Sequence, residues 1–249
     1  MLAFQLAGLV FTLAIVVVRW EAPPGATHLL YGFLAGAAGA VGLTALYRAM
    51  AVGAISIVTP IAATSAVVPV VVGFAHGDRP SRVQDVGFAL AFVGVVLASR
   101  EEVHEARTDR RIAAGVGLAL FAALCFGSSL VGLHAAAANG GDALWGATML
   151  RVAGISVAVG LVALTRTSLR ARGGELVRLS PIGFLDSLGV VGFTLASTRG
   201  LISVVSVLSS LFPVVTVSLA TIVLHERLSR LQTVGVAAAI AGAAALAAG

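Results

Sequence analysis

Apolar residues fill nine stretches of the chain almost without interruption: 2–18, 29–51, 54–75, 84–99, 112–133, 143–164, 181–200, 202–223 and 232–248. The runs are apolar on every face rather than alternating, which excludes membrane-spanning strands. Each approaches the roughly 20 residues that a helix needs to cross about 30 Å of hydrocarbon. Polar residues, Gly and Pro collect in the breaks, at Arg19–Pro24, Gly53, His76–Arg82, Arg100–Arg111, Asn139–Asp142, Thr165–Ser180, Arg199–Gly200 and His225–Arg230. Trp20 and Trp145 flank spans, as interfacial aromatics do. The pattern predicts an all-α polytopic membrane protein of about nine helices. Its first run, Leu2–Val18, has no basic leader and no small-residue cleavage site, so it reads as a retained helix rather than a signal peptide.

The second half repeats the first. Gly36, Gly42, Ala49, Gly53 and Ser56 recur 147 residues later as Gly183, Gly189, Ala196, Gly200 and Ser203. After one residue of slippage, Arg79, Ser81, Arg82, Gln84 and Gly87 recur as Arg227, Ser229, Arg230, Gln232 and Gly235. Two hydrophobic repeats are the mark of a secondary transporter with its substrate path between the halves. The expected boundaries are 1–99 for the first repeat, 100–111 for a linker loop and 112–249 for the second repeat. The 143–164 span matches 2–18, which leaves 112–133 without a counterpart. The repeats are therefore four helices and five, with the first helix of the first copy missing; either a late start or a genuine nine-helix variant accounts for it, and the late start is the favoured reading. Five-helix units place the second copy upside down relative to the first, an inverted repeat.

Composition places the chain in lipid. Hydrophobic residues make up 59% and charged residues 11%, against roughly 45–50% and about 25% in soluble domains, and mean hydropathy is +1.04. All 16 basic residues are arginines. Most lie in short loops, where topology and lipid phosphates account for them, so nucleic acid is excluded as a partner. Loops after the fourth, sixth and eighth spans carry Arg100, Arg107, Arg110, Arg111, Arg166, Arg170, Arg172, Arg178, Arg227 and Arg230. The opposite side carries Arg19, Arg79, Arg82 and Arg199. That count puts Met1 in the cytoplasm and Gly249 outside. The single Cys125 lies in an apolar span and reads as a small core residue.

At the repeat boundaries the sequence resembles the EamA family of the drug/metabolite transporter superfamily. The resemblance rests on the run Leu46–Pro60, on Gly200-Leu201-Ile202-Ser203 and Ser209-Ser210-Leu211-Phe212-Pro213, and on Leu224-His225-Glu226-Arg227-Leu228-Ser229 before a Gly-rich last helix. The last string is similar to the family's GERLS signature, with His225 in place of Gly; the first copy reads Gly77-Asp78-Arg79-Pro80-Ser81. The resemblance implies ten helices with both termini cytoplasmic. The arginine count disagrees for the C-terminus, so orientation stays open.

Few polar residues lie inside the spans. Arg151 stands about eight residues into its run, a depth that costs about 2.5–3.5 kcal/mol on insertion scales. It must face a cavity or a partner, as an anion-binding or gating residue or as a structural arginine. Asp186 is the one acidic residue well inside a span. Five residues past Pro181, it reads as stabilised by a helix N-terminus, with proton coupling as its functional reading. Arg151 and Asp186 are placed to pair across adjacent helices. Ser56, Thr59, Pro60, Ser65 and Pro69 crowd the third span, and Ser203, Ser206, Ser210 and Pro213 the eighth. Prolines free carbonyls that neighbouring hydroxyls can satisfy, so these helices are candidates to line the path. Helix packing is the plainer explanation for such small residues, and for Gly36, Gly39, Gly42, Gly183, Gly189 and Gly192. Asp78 and Glu226 read as caps or loop salt-bridge partners.

No Walker loop, dinucleotide fingerprint or catalytic triad occurs, and His225-Glu226 has no second histidine at helical spacing. Neither an enzyme, a cofactor nor a metal is expected. The expectation is a secondary carrier in a cell membrane of the bacterial inner type, moving a small metabolite or amphipathic compound outward by alternating access, with proton coupling. The alternative is a non-transporting or partner-dependent subunit, or a lipid-handling membrane protein. The short half leaves homodimerisation or a partner subunit open.

Overall fold

The computed structural model describes residues 2–20, 22–53, 55–98, 109–165, 173–223 and 229–248. Every regular element among them is helical: α1 (Leu2–Arg19), α2 (Ala26–Val52), α3 (Ile55–Ala63), a 3-10 turn (Thr64–Ala66), α4 (Val67–Ala75), α5 (Arg82–Ala98), α6 (Asp109–Ala137), α7 (Ala143–Thr165), α8 (Gly173–Ser197), α9 (Ile202–Ser209), α10 (Phe212–Val223) and α11 (Arg230–Ala248). Six stretches of the described residues are long and apolar enough to cross a membrane: Ala26–Val52, Val58–Ala75, Ala114–Ala137, Ala143–Leu164, Ser180–Ser197 and Arg230–Ala248. Phe4–Arg19 is apolar but shorter. The chain is a multi-pass α-helical membrane protein. Much of the 100–111 linker, the Arg166–Arg172 loop and Leu224–Leu228, with His225 and Glu226, lie outside the described residues.

Two expected spans are interrupted, and prolines explain where. The third breaks at Thr64–Ala66, and the eighth ends its first piece at Ser209. A proline ring meets the carbonyl four residues before it; Pro69 stands four after Ser65, and Pro213 four after Ser209. The other correction concerns α8. It starts at Gly173, with Pro181 inside it, so Asp186 sits in mid-helix and gains nothing from an N-terminal dipole.

Turns between helices use the side chains that recur in the repeat. At the start of α5, Gln84 N donates to Ser81 Oγ (3.2 Å) and Ser81 N to Gln84 Oε1 (2.9 Å). At α11, Ser229 and Gln232 make the same two bonds, 3.2 and 3.0 Å. Both are capping boxes that satisfy amides no helix turn can reach. Helix α4 closes with Gly77 at φ +101°, Asp78 N donating to Gly73 O (2.9 Å) and Gly77 N to Phe74 O (3.2 Å). This is a Schellman ending, and it needs glycine at the left-handed position.

The described chain forms two compact units, Met1–Val41 with Ser128–Arg199 and Gly42–Gly127 with Gly200–Gly249. Each draws on both halves of the sequence. In the first, α1 packs on α7 and α8. In the second, α5 and α11 form the principal seam, and α4 packs on α9. A core of Ala66, Phe88, Ala91, Val204, Val207 and Leu246 joins the 3-10 turn to α5, α9 and α11.

The α5–α11 seam is antiparallel and built from glycines. Gly87 lies against Leu246, Ala91 against Gly242, Gly94 against Ala239, and Ala98 against Gly235. Under the 148-residue offset, Gly87–Leu246 is the counterpart of Gly235–Ala98, and Gly94–Ala239 of Gly242–Ala91. A Cβ at Gly87 would stand 2.9 Å from Leu246 Cγ, and one at Gly242 2.5 Å from Ala91 N. Without water to drive association, such close backbone approach supplies the packing energy. Gly94→Ala and Gly242→Ala should each destabilise by about 1–3 kcal/mol, and by similar amounts because their contacts are equivalent. Gly117, with nothing within 4 Å, should accept Ala without loss. Melting temperatures in detergent check all three.

Candidate functional site

Arg151 is the largest fully buried side chain described, 1% exposed, nine residues into α7. Nη1 donates to Gln5 Oε1 at 2.8 Å, from α1. Nη2 donates to Asp186 Oδ2 at 2.5 Å, from α8, closing an ion pair. The guanidinium carbon lies 5.6 Å from the centre of the Phe4 ring, within cation–π reach. Nε is buried with no hydrogen-bond partner among the described residues. One charge is thus met by a carboxylate, an amide oxygen and a π face from two helices. An isolated guanidinium could not be held inside an apolar bundle.

Glycines make the room. A Cβ at Gly8 would stand 2.8 Å from Arg151 Nε and 2.7 Å from Ser187 Oγ. One at Gly154 would run into the Gln5 amide. Ser187 itself is buried and donates to Gly183 O at 2.7 Å. The pair is lopsided, since the Asp186 side chain is 49% exposed while Arg151 is enclosed. The arrangement can balance charge, or exchange Asp186 for another anion at the guanidinium.

The pairing of Arg151 with Asp186 was foreseeable, but the parts played by Gln5 and Phe4 were not. Gln5 is the only polar residue in the run Leu2–Phe11, and it stands next to Phe4, the repeat counterpart of Arg151. Those two facts together were a readable signal.

The hydroxyl candidates belong to the second unit and are held one by one. Ser203 donates its Oγ–H to Asp78 Oδ2 at 2.7 Å, and its backbone N–H donates to the same oxygen at 3.1 Å. Asp78 therefore caps the start of α9 from outside, fulfilling the expectation of a cap. A carboxylate is favoured there by the free amides and the dipole. The Schellman ending of α4 delivers it, and Gly73 makes room for it. Ser210 Oγ donates to Val207 O at 2.8 Å, and Thr64 Oγ1 to Ile61 O at 2.6 Å. Ser206 Oγ is buried without a partner among the described residues. Ser65, Pro60 and Pro69 are buried, and Thr59 is half-buried. The side chains of Ser56 and Pro213 lie outside the description. No three His, Cys, Asp or Glu side chains converge among the described residues.

Apolar helices holding an arginine–carboxylate pair inside their spans define a polytopic membrane protein with an intramembrane ion pair. The profile of the EamA-like transporter family matches residues 113–248, more than half of the chain. The chain belongs to that family, within the drug/metabolite transporter superfamily. A search of curated proteins found no match. A solved structure described only as "Crystal structure of protein" superposes with a TM-score of 0.64 at 17% identity, over 97% of this chain and 94% of that one. The fold likeness therefore extends beyond the part that the family profile matches.

Arg151→Ala removes the enclosed partner and should cost about 2–4 kcal/mol, below the full figure for a buried pair because Asp186 is half exposed. Asp186→Asn keeps an acceptor for Nη2 but leaves the enclosed guanidinium without its counter-charge, and should cost more, about 3–5 kcal/mol. Thermal unfolding in detergent checks the order, and the double variant should cost less than the two losses added.

Proposed function

We propose that this chain is a secondary carrier that moves a small metabolite or amphipathic compound outward by alternating access. Its nine membrane crossings form two inverted repeats of four and five helices, with 1–99 and 112–249 as the repeats and 100–111 as the linker. Family membership supports carriage. The mirrored α5–α11 contacts carry the inverted arrangement, because two equivalent helices meeting antiparallel at equivalent residues are what a two-fold axis across them produces.

Within this reading, Asp186 couples transport to protons. The carboxylate is the accessible half of the pair, and Arg151 is the fixed half. Protonation of Asp186 removes the counter-charge of an enclosed guanidinium, so the two protonation states favour different helix arrangements. The same vacancy gives Arg151 a reason to meet an anionic group on a substrate. Ser56, Thr59, Ser65, Ser203, Ser206 and Ser210, beside Pro60 and Pro213, supply the polar lining of the interrupted helices.

The test is efflux of a metabolite panel from proteoliposomes under an imposed pH gradient. Wild-type protein should drive gradient-dependent flux of at least one compound. Asp186→Asn should retain downhill exchange and lose the response to the gradient. Unchanged coupling in the variant removes Asp186 from the proton path, and absence of flux for every compound removes carriage itself.

A further inference from the structure

We infer that the guanidinium of Arg151 binds the carboxylate of a monoanionic organic substrate in place of Asp186, an assignment that rests on the carrier reading and names its class of substrate. The donors of a guanidinium lie in one plane, and a carboxylate can meet two of them at once. It does so at the end, across Nη1 and Nη2, or along the side, across Nε and Nη2. In this chain the end is divided between two partners: Nη1 donates to Gln5 Oε1 at 2.8 Å and Nη2 to Asp186 Oδ2 at 2.5 Å. The side edge is only half used. Nε is buried and has no partner among the described residues, although Nη2 beside it already meets a carboxylate oxygen. A buried N–H without an acceptor forfeits the bond it would make in water, and here the missing acceptor is the second oxygen of a bidentate anion.

The surroundings hold the arginine without Asp186. Gln5 is itself buried and keeps Nη1, and the Phe4 ring lies 5.6 Å from the guanidinium carbon. Both come from α1, so the guanidinium keeps its seat when the carboxylate from α8 leaves. At Nε the neighbours are Gly8 and Ser187. A Cβ at residue 8 would stand 2.8 Å from Nε and 2.7 Å from Ser187 Oγ, so glycine keeps a side chain off this edge. The fully buried Ser187 hydroxyl now donates to Gly183 O at 2.7 Å. It can rotate to give an anion a further donor.

Charge selects the class of ligand. Asp186, protonated as the carrier reading has it, gives up Nη2, and one negative charge then neutralises the one enclosed positive charge. A monocarboxylate does this with two coplanar oxygens that match Nε and Nη2. A phosphate dianion would leave a charge unmatched inside an apolar bundle.

The test is a titration of the purified full-length chain in detergent, at constant ionic strength, followed by calorimetry and by melting temperature. The probes are acetate, its neutral isostere acetamide, and inorganic phosphate. Acetate should bind saturably and raise the melting temperature, while acetamide and phosphate should do neither. Arg151→Lys keeps the positive charge and loses the planar fork, and should weaken acetate by about tenfold or more. Asp186→Asn removes the competing anion and should tighten acetate by about tenfold, with a larger thermal shift than in wild type. Absence of acetate binding, equal binding of acetamide, preference for phosphate, or indifference to Arg151→Lys overturns the inference. So does weaker binding in Asp186→Asn, since the ligand would then not replace that carboxylate. Efflux without acetate binding leaves carriage standing and removes this site; acetate binding without efflux of any compound removes carriage and leaves the site.

Discussion

A lipid interior offers no hydrogen bond to an exposed amide or carbonyl, and this chain is arranged around that constraint. Helices satisfy the backbone along their length, so the difficulty moves to their ends and to their interruptions. The residues that recur between the halves are concentrated there. Ser81 with Gln84, and Ser229 with Gln232, close the amides at the starts of α5 and α11. Gly77 turns the chain after α4, and the next residue, Asp78, serves the first amides of α9. The Gly-acid-Arg-x-Ser string of the first copy is thus a sequence of helix-end solutions: an αL exit, a remote cap, and an entry box for the next helix.

The seams between helices that correspond under the sequence offset differ in how alike their facing residues are. At α5–α11 both helices present small residues, and the result is a close, symmetric contact with no polar group at its centre. At α1–α7 the counterparts Phe4 and Arg151 face each other, and the symmetry is broken by one charge. Everything around that charge answers it: Gln5 on the same helix as Phe4, Asp186 from α8, glycines at 8 and 154 that leave the space. A polar site arises here because Phe4 and Arg151, which correspond under the 147-residue offset, differ in charge, so the contact between them is not symmetric.

The all-helical, membrane-spanning character was legible in the sequence because lipid demands long apolar runs, and the capping boxes of α5 and α11 because their helix-end residues are chemically distinctive. The Arg151–Asp186 pairing was legible because two opposite charges in adjacent spans have few other partners. What was not legible came from geometry that runs of residues do not encode. The start of α8 at Gly173 was hidden by a polar segment and by Pro181, which looked like an entry residue and sits inside the helix. Gln5 looked incidental because a lone amide in an apolar run gives no hint of which helix it faces. Gly189 and Gly192 read as packing residues like Gly36 and Gly42, yet they meet nothing; a glycine's sequence neighbours do not say whether another helix arrives.

Rigidity and freedom are divided by the same physics. The glycine seam of α5 and α11 has no slack, since a single added carbon meets backbone on the other side. The pieces α3–α4 and α9–α10 are different: each has a break before a proline, where the regular hydrogen-bond ladder is already open. Hydroxyls on Thr64 and Ser210 bond carbonyls one turn back, so those polar groups stay served if the local bend changes. Ser206 keeps a hydroxyl with no partner among the described residues beside one break. A conformational change that bends these two helices gives up little hydrogen bonding, whereas one that parts α5 from α11 would forfeit the closest packing in the unit. Among the described elements of this unit, the interrupted helices are therefore the ones that bend at least cost in hydrogen bonding, and they hold the candidate hydroxyls.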